Sequence, residues 1–165
     1  MWMTGGKIVS AVLFSLMVSV GVASAQYNYP PTPQPTQPTQ PPSQSTTLNV
    51  AGAMIEGKSQ PILVDVKGMS LYYLTSDTAT SSACTGGCAG NWPPLLSGSV
   101  PTAPSSAMGK LAIAKTANGS QVSYNGHLLY RFKQDTKPSD VSGNGIKGPM
   151  NGVWHVATPD MKPAM

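Results

Sequence analysis

Two stretches of this 165-residue chain say nearly the same thing, KGMSLYYLTSDT and NGHLLYRFKQDT. Gly68 and Gly126, Leu71 and Leu129, Tyr72 and Tyr130, Leu74 and Phe132, Asp77 and Asp135, and Thr78 and Thr136 match at one constant offset without a gap. An ungapped match of that kind marks an internal duplication, so the fold is built twice from one unit. The unit's contents set its class. PILVDV and MSLYYL are apolar, β-favouring runs separated by Lys67-Gly68, and SQVSY and HLLYRF repeat the arrangement around Asn125-Gly126. Asn-Gly is the strongest short hairpin signal, because a type I′ turn needs positive φ at both central residues.

The stretch KLAIAKTANGSQVSY adds a further strand and a second Asn-Gly turn, at Asn118 and Gly119. A short Trp segment follows each copy, NWPPLL with Trp92 and GVWHVA with Trp154. No stretch of the domain shows sustained helical periodicity. The expected fold is all-β. Two tandem antiparallel β-meanders with pseudo-two-fold symmetry, at about residues 48–100 and 108–158, form one small domain over 48–165, a length suited to a single core.

Strand alternation then assigns faces. Tyr72 and Leu74 point one way and Leu71 and Tyr73 the other, as do Tyr130 and Phe132 against Leu129 and Arg131. Arg131 marks its face as at least partly wet, so Tyr130 and Phe132 are expected inside. Asp77 and Asp135 follow the strands and suit Asx-type turns, accepting backbone N–H groups. In that reading the repeated tyrosines and aspartates hold the fold. The competing reading makes them paired ligand-binding or catalytic sets.

The chain's beginning carries a targeting pattern. Lys7, an uncharged apolar run over residues 8–22, and Ala23-Ser24-Ala25 read as an export signal over 1–25, cut after Ala25, with an uncleaved anchor helix as the competing reading. The expected mature product keeps no stable membrane anchor. Residues 26–47, rich in Pro, Thr and Gln, lack the apolar surface to offset ordering and read as a disordered, semi-rigid linker. The first 25 residues hold one of ten Lys and Arg and none of six acids, leaving nine against six, or +3. Those positive charges are scattered, and no aromatic stacking motif accompanies them, which gives no case for nucleic acid.

A tyrosine, an aromatic two residues on and an aspartate three beyond, duplicated behind an export signal, resemble the bacterial secreted repeat proteins, or predicted lipoproteins, with a Y-x-(FWY)-x-x-D motif. Tyr130, Phe132 and Asp135 fit that motif, and Tyr72 and Asp77 fit it with Leu74 in the aromatic slot. TATSSACTGGCAGNWPPLL and GVWHV are similar to the family too, so the likeness covers residues 61–156. It implies an envelope or secreted location and no established activity. Many members carry a lipid-anchoring Cys, which does not follow the apolar run here.

Cys84 and Cys88 are the only cysteines, and in an oxidising compartment two thiols so close in a Gly-rich loop read as a disulfide. Their spacing fits neither haem attachment nor a structural zinc site. Copper is the sharpest chemical alternative. Met69 and His127 occupy equivalent places after the turn glycines, and His155 is the remaining imidazole, so thioether and imidazole ligands are present. Enzymatic patterns are weaker: no G-x-S-x-G turn occurs, and the turn roles of Asp77 and Asp135 absorb the best carboxylate pair. The expected function is that of a non-enzymatic, cofactor-free module, periplasmic or extracellular, that binds or scaffolds an envelope component or protein partner. The alternative is a periplasmic copper-binding or redox accessory protein.

Overall fold

The computed structural model describes residues 48–164, so the expected signal over 1–25 and the expected linker over 26–47 lie outside the described residues. Among the described residues seven strands follow in order with two short helical turns, the second a 3-10 turn at Pro149–Asn151 before the last strand. The strands and the first turn are β1 (Asn49–Ile55), β2 (Lys58–Val64), β3 (Tyr72–Leu74), α1 (Gly87–Asn91), β4 (Leu111–Thr116), β5 (Gly119–Tyr124), β6 (His127–Leu128) and β7 (Trp154–Val156). All pairings are antiparallel: β1 with β2, β3 with β7, and β4 with β5 and β5 with β6. The chain is all-β and built from two repeats.

Turn chemistry explains the hairpins. At the β5–β6 turn Tyr124 pairs His127, and Asn125 and Gly126 both have positive φ, as a type I′ turn requires. Glu56 and Gly57, with φ of 52° and 78°, make the same kind of turn between β1 and β2. Thr116 pairs Gly119 at the β4–β5 turn, which places Ala117 and Asn118 at the centre and Gly119, φ 115°, at the flank. The Lys67-Gly68 turn is wider than its counterpart. Asp65 N donates to Met69 O at 2.9 Å, and Asp65 Oδ1 accepts from Lys67 N at 2.8 Å and Met69 N at 3.0 Å.

The two meanders are joined at Tyr72 and Tyr130. Each tyrosine N–H donates to the other's carbonyl at 2.9 Å, so a reciprocal antiparallel pair sits on the pseudo-two-fold axis. Outside it, each repeat's Trp segment is delivered to the other repeat. β7 of repeat two lies on β3 of repeat one, with Leu74 opposite Trp154. The segment after Trp92 lies on repeat two, where Arg131 N donates to Pro93 O and Leu95 N to Leu129 O, both at 2.9 Å. Ala157 and Leu95 are equivalent in this exchange: Leu63 N donates to Ala157 O and Val122 N to Leu95 O, each at 2.8 Å.

Both faces of this sheet are covered. One face carries Tyr72, Leu74, Tyr130, Phe132, Trp92, Trp154 and Val156 over Ile62 and Leu128. The other buries Leu71, Leu129, Leu63, Leu95, Val122 and Tyr124 beneath Leu48 and Met161. Arg131 behaves as expected of a partly wet position, with its side chain 37% exposed, but Leu71 and Leu129 beside it are fully buried. Its Nε meets Asp65 Oδ2 at 2.6 Å, and Asp65 is itself 2% exposed. A buried carboxylate needs such partners, and Asp65 has a cation and two turn N–H groups.

Candidate functional site

The repeated residues gather in one place, and they pair across the repeats. Tyr72 Oη donates to Asp135 Oδ2 at 2.6 Å, and Tyr130 Oη donates to Asp77 Oδ2 at 2.6 Å. The repeat is written twice because each copy supplies the other's partner. Strand alternation places both tyrosines inward, and both rings are fully buried.

Between the two pairs lies an aromatic stack. Trp92 and Trp154 are parallel, with centroids 3.8 Å apart and an interplanar angle of 4°. Tyr72 meets Trp92 edge-on at 5.4 Å, and Tyr130 meets Trp154 edge-on at 4.9 Å. Phe132 stacks on Trp92 at 4.1 Å. Its counterpart Leu74 stands opposite Trp154 in the register. The departure from the motif's aromatic slot is thus an apolar end to the stack. Edge-to-face and offset contacts of this kind add about 0.5–1.5 kcal/mol per pair beyond burial.

The aspartates hold loops, though not by the short Asx turns expected from the sequence. Asp77 Oδ1 accepts from Ala83 N at 2.7 Å and Asp135 Oδ1 from Ser142 N at 3.2 Å, reaching six and seven residues along the chain. The tyrosine hydroxyl already occupies each carboxylate's other oxygen, so the loop must come round to meet the free one. Asp140, by contrast, caps a local turn, with Oδ2 accepting from Thr136 N and Lys137 N at 3.0 Å.

The disulfide is formed between Cys84 and Cys88. Its loop joins one of the two pairs. Tyr130 Oη lies 2.7 Å from Ser82 Oγ, which bonds to Cys84 O at 2.8 Å, and Asn118 Nδ2 donates to both Ser82 Oγ and Cys84 O. In repeat two the hydroxyl is met by backbone instead, with Gly143 N donating to Tyr72 Oη at 3.3 Å and Asp140 O lying 3.3 Å from it. Sequence reasoning missed Asp65, Ser82 and Asn118 as partners, since a Ser or Asn in a polar loop carries no signal of what it will face.

The residues of the copper alternative fall elsewhere. His127 and His155 flank Tyr73 from strands on either side of β3, with ring centroids at 4.5 Å and 5.7 Å. His127 Nε2 lies 3.0 Å from Lys162 O, and Met69 is half-buried in the Asp65 loop. Among the described residues no three His, Cys, Asp or Glu side chains are grouped to hold a metal ion. No helix among them is long and apolar enough to cross a membrane.

Burial sets the electrostatics. It pushes both tyrosine hydroxyls far up, and the carboxylate each one faces adds to the rise. Burial also raises Asp77 and Asp135 above the ordinary 3.8, against the lowering pull of their Tyr and N–H donors. A raised folded pKa means the native state binds the proton more tightly. Stability from these two groups is therefore greatest below the ordinary value and is lost as pH rises through the raised folded values. Asp140 runs the other way, lowered first by Thr136 N–H, so its contribution is lost only below 3.8. Urea midpoints should fall as pH is raised from 4 toward neutrality, and Asp77→Asn with Asp135→Asn should flatten that slope. A flat wild-type profile would show the carboxylates better solvated than their burial implies.

Neither a curated protein nor a solved structure matches the chain. One family does, over both copies of the unit. The family described as a secreted repeat of unknown function matches residues 53–96 and 112–158, just over half of the chain. The two matched blocks end at Leu96, the last residue of NWPPLL, and at Thr158, the residue after GVWHVA, so each takes in the Trp segment that the repeats exchange. With both units matched and the family described as secreted, this chain is an exported protein that belongs to the secreted-repeat family.

Proposed function

We propose that the chain is a cell-envelope module, periplasmic or extracellular, that binds or scaffolds an envelope component or protein partner without catalysis or a cofactor. One observation carries the reading. The groups best suited to chemistry, two tyrosine hydroxyls and two carboxylates, face each other inside the protein, with both rings fully buried. Groups spent on holding two repeats together are not free to turn over a substrate, which leaves the outer surface for recognition.

Fractionation of cells expressing the full chain tests the reading. The exported form should begin at Gln26 and co-sediment with cell-wall material, and Asp135→Asn should leave that association unchanged. Recovery from the cytosol with Met1 intact would overturn the address. Loss of association in a folded Asp135→Asn protein would instead make the duplicated motif a binding site.

Copper binding is the second reading, favoured by the two imidazoles beside Tyr73. Metal analysis after growth in copper decides it. Stoichiometric copper that disappears in His127→Ala would replace the scaffold reading with a metal-handling one.

A further inference from the structure

The chain contains four Asn-Gly pairs, Asn118-Gly119, Asn125-Gly126, Asn144-Gly145 and Asn151-Gly152. An asparagine before glycine is chemically labile, because no side chain shields the following amide nitrogen from the asparagine's own amide carbon. The fold restrains three of the four. Asn118 Nδ2 donates to Ser82 Oγ at 3.0 Å and Cys84 O at 2.9 Å. Asn125 is held at both ends, by Met161 O and by Lys110 N, each at 2.8 Å. Asn144 Oδ1 accepts from Val156 N at 3.0 Å.

Asn151 differs. It is exposed at the tip of the loop before β7, next to Met150, which is 78% exposed, and among the described residues no hydrogen bond holds its side chain. The fold also explains why the pair stands there. Asn151 has φ 58°, a left-handed conformation that asparagine tolerates better than most residues. A Cβ on Gly152 would collide with Ser76 and come within 2.8 Å of Leu74 Cδ1, so only glycine fits. Backbone geometry at one residue and close approach at the next together produce an exposed Asn-Gly.

We propose that Asn151 is a modification site, the position at which the folded chain deamidates. The Gly152 amide nitrogen loses its proton to solvent base and attacks Asn151 Cγ. The new N–Cγ bond closes a succinimide ring as the Cγ–Nδ2 bond breaks, and ammonia leaves with a proton from solvent. Water then opens the ring at either carbonyl to give aspartate or isoaspartate, with no oxidant or reductant involved. Gly152 N–H donates to Pro149 O at 3.0 Å, a bond within a short surface turn that opens locally.

The product matters to the fold beneath it. A new carboxylate appears beside Met150, and isoaspartate adds a methylene to the backbone of the turn closed by Gly148 N and Gly152 O at 2.8 Å. Gly148 and Gly152 pack closely against Trp154 and Leu74, so a lengthened turn loosens one end of the aromatic stack.

Peptide mass mapping of the folded full chain, incubated at mildly alkaline pH, tests the site. Asn151 should convert about tenfold faster than Asn118, Asn125 or Asn144, the factor that about one retained hydrogen bond imposes on a rate. In denaturant the four should react at similar rates. The proposal is overturned if any of the three held asparagines keeps pace with Asn151 in the folded protein, or if its lead persists after unfolding.

Discussion

Tyr130→Ala and Tyr72→Ala should each remove about 3–5 kcal/mol of stability, a large share of the roughly 5–15 kcal/mol available to a small domain. Each substitution empties a fully buried site beside a tryptophan of the central stack and strips a carboxylate, buried at Asp135 and half-buried at Asp77, of its hydroxyl donor. Because Tyr72 serves Asp135 and Tyr130 serves Asp77, each change damages both repeats at once. Tyr130→Phe keeps the ring but leaves Asp77 Oδ2 short of its donor, which costs about 1–3 kcal/mol. Asp135→Asn should be milder than Asp135→Ala, since the amide oxygen still accepts from Ser142 N. Urea denaturation of the set measures these effects. An unchanged midpoint in Tyr130→Ala would mean that the hydroxyl and ring do not hold the interior together.

Cutting the chain between the repeats should leave the halves associated, whereas either half alone should be unfolded. The exposed connection at residues 104–106 is the place for an inserted protease site. Alone, repeat one loses the partners of Leu63 N, Tyr72 N and Leu71 O, which are Ala157 O, Tyr130 O and Ala157 N. It also loses Trp154 from its place on Trp92. Unpaired interior backbone and half an aromatic stack leave too little to offset chain entropy. Once cut, the linker no longer supplies a high effective concentration, so stability should fall and depend on protein concentration. Size-exclusion chromatography and circular dichroism read both results. A folded repeat in isolation would show that the exchanged strands are an ornament on two independent units.

Much of this architecture is legible in the sequence, because turns and alternation are local. Asn125-Gly126 announces a type I′ turn, since few other dipeptides accept positive φ twice. Glu56-Gly57 makes the same turn without such a signal, because glutamate gains its left-handed conformation from the paired strands around it. The inward placement of Tyr72, Tyr130 and Phe132 also follows from alternation and from Arg131 on the opposite face. The Cys84–Cys88 bond follows from their separation and number.

What the sequence could not contain is which copy answers which. By itself it determined two β-rich units, the Asn125-Gly126 turn and the inward tyrosines, all properties of residues a few positions apart. The tertiary structure decided that Trp154 stacks on Trp92, that β7 leaves its own repeat for β3, and that Asp135 and Asp77 face the other copy's tyrosine. Within one repeat a Tyr and its Asp lie in sequence at a spacing that suits a local turn, so pattern reading pairs them with their own loops. Across the axis, the reciprocal Tyr72–Tyr130 pair turns each strand antiparallel to its twin and carries each tyrosine toward the opposite carboxylate. Units that share the same key Tyr and Asp offer equivalent partners, and only the arrangement that buries both aromatic faces at once selects between them.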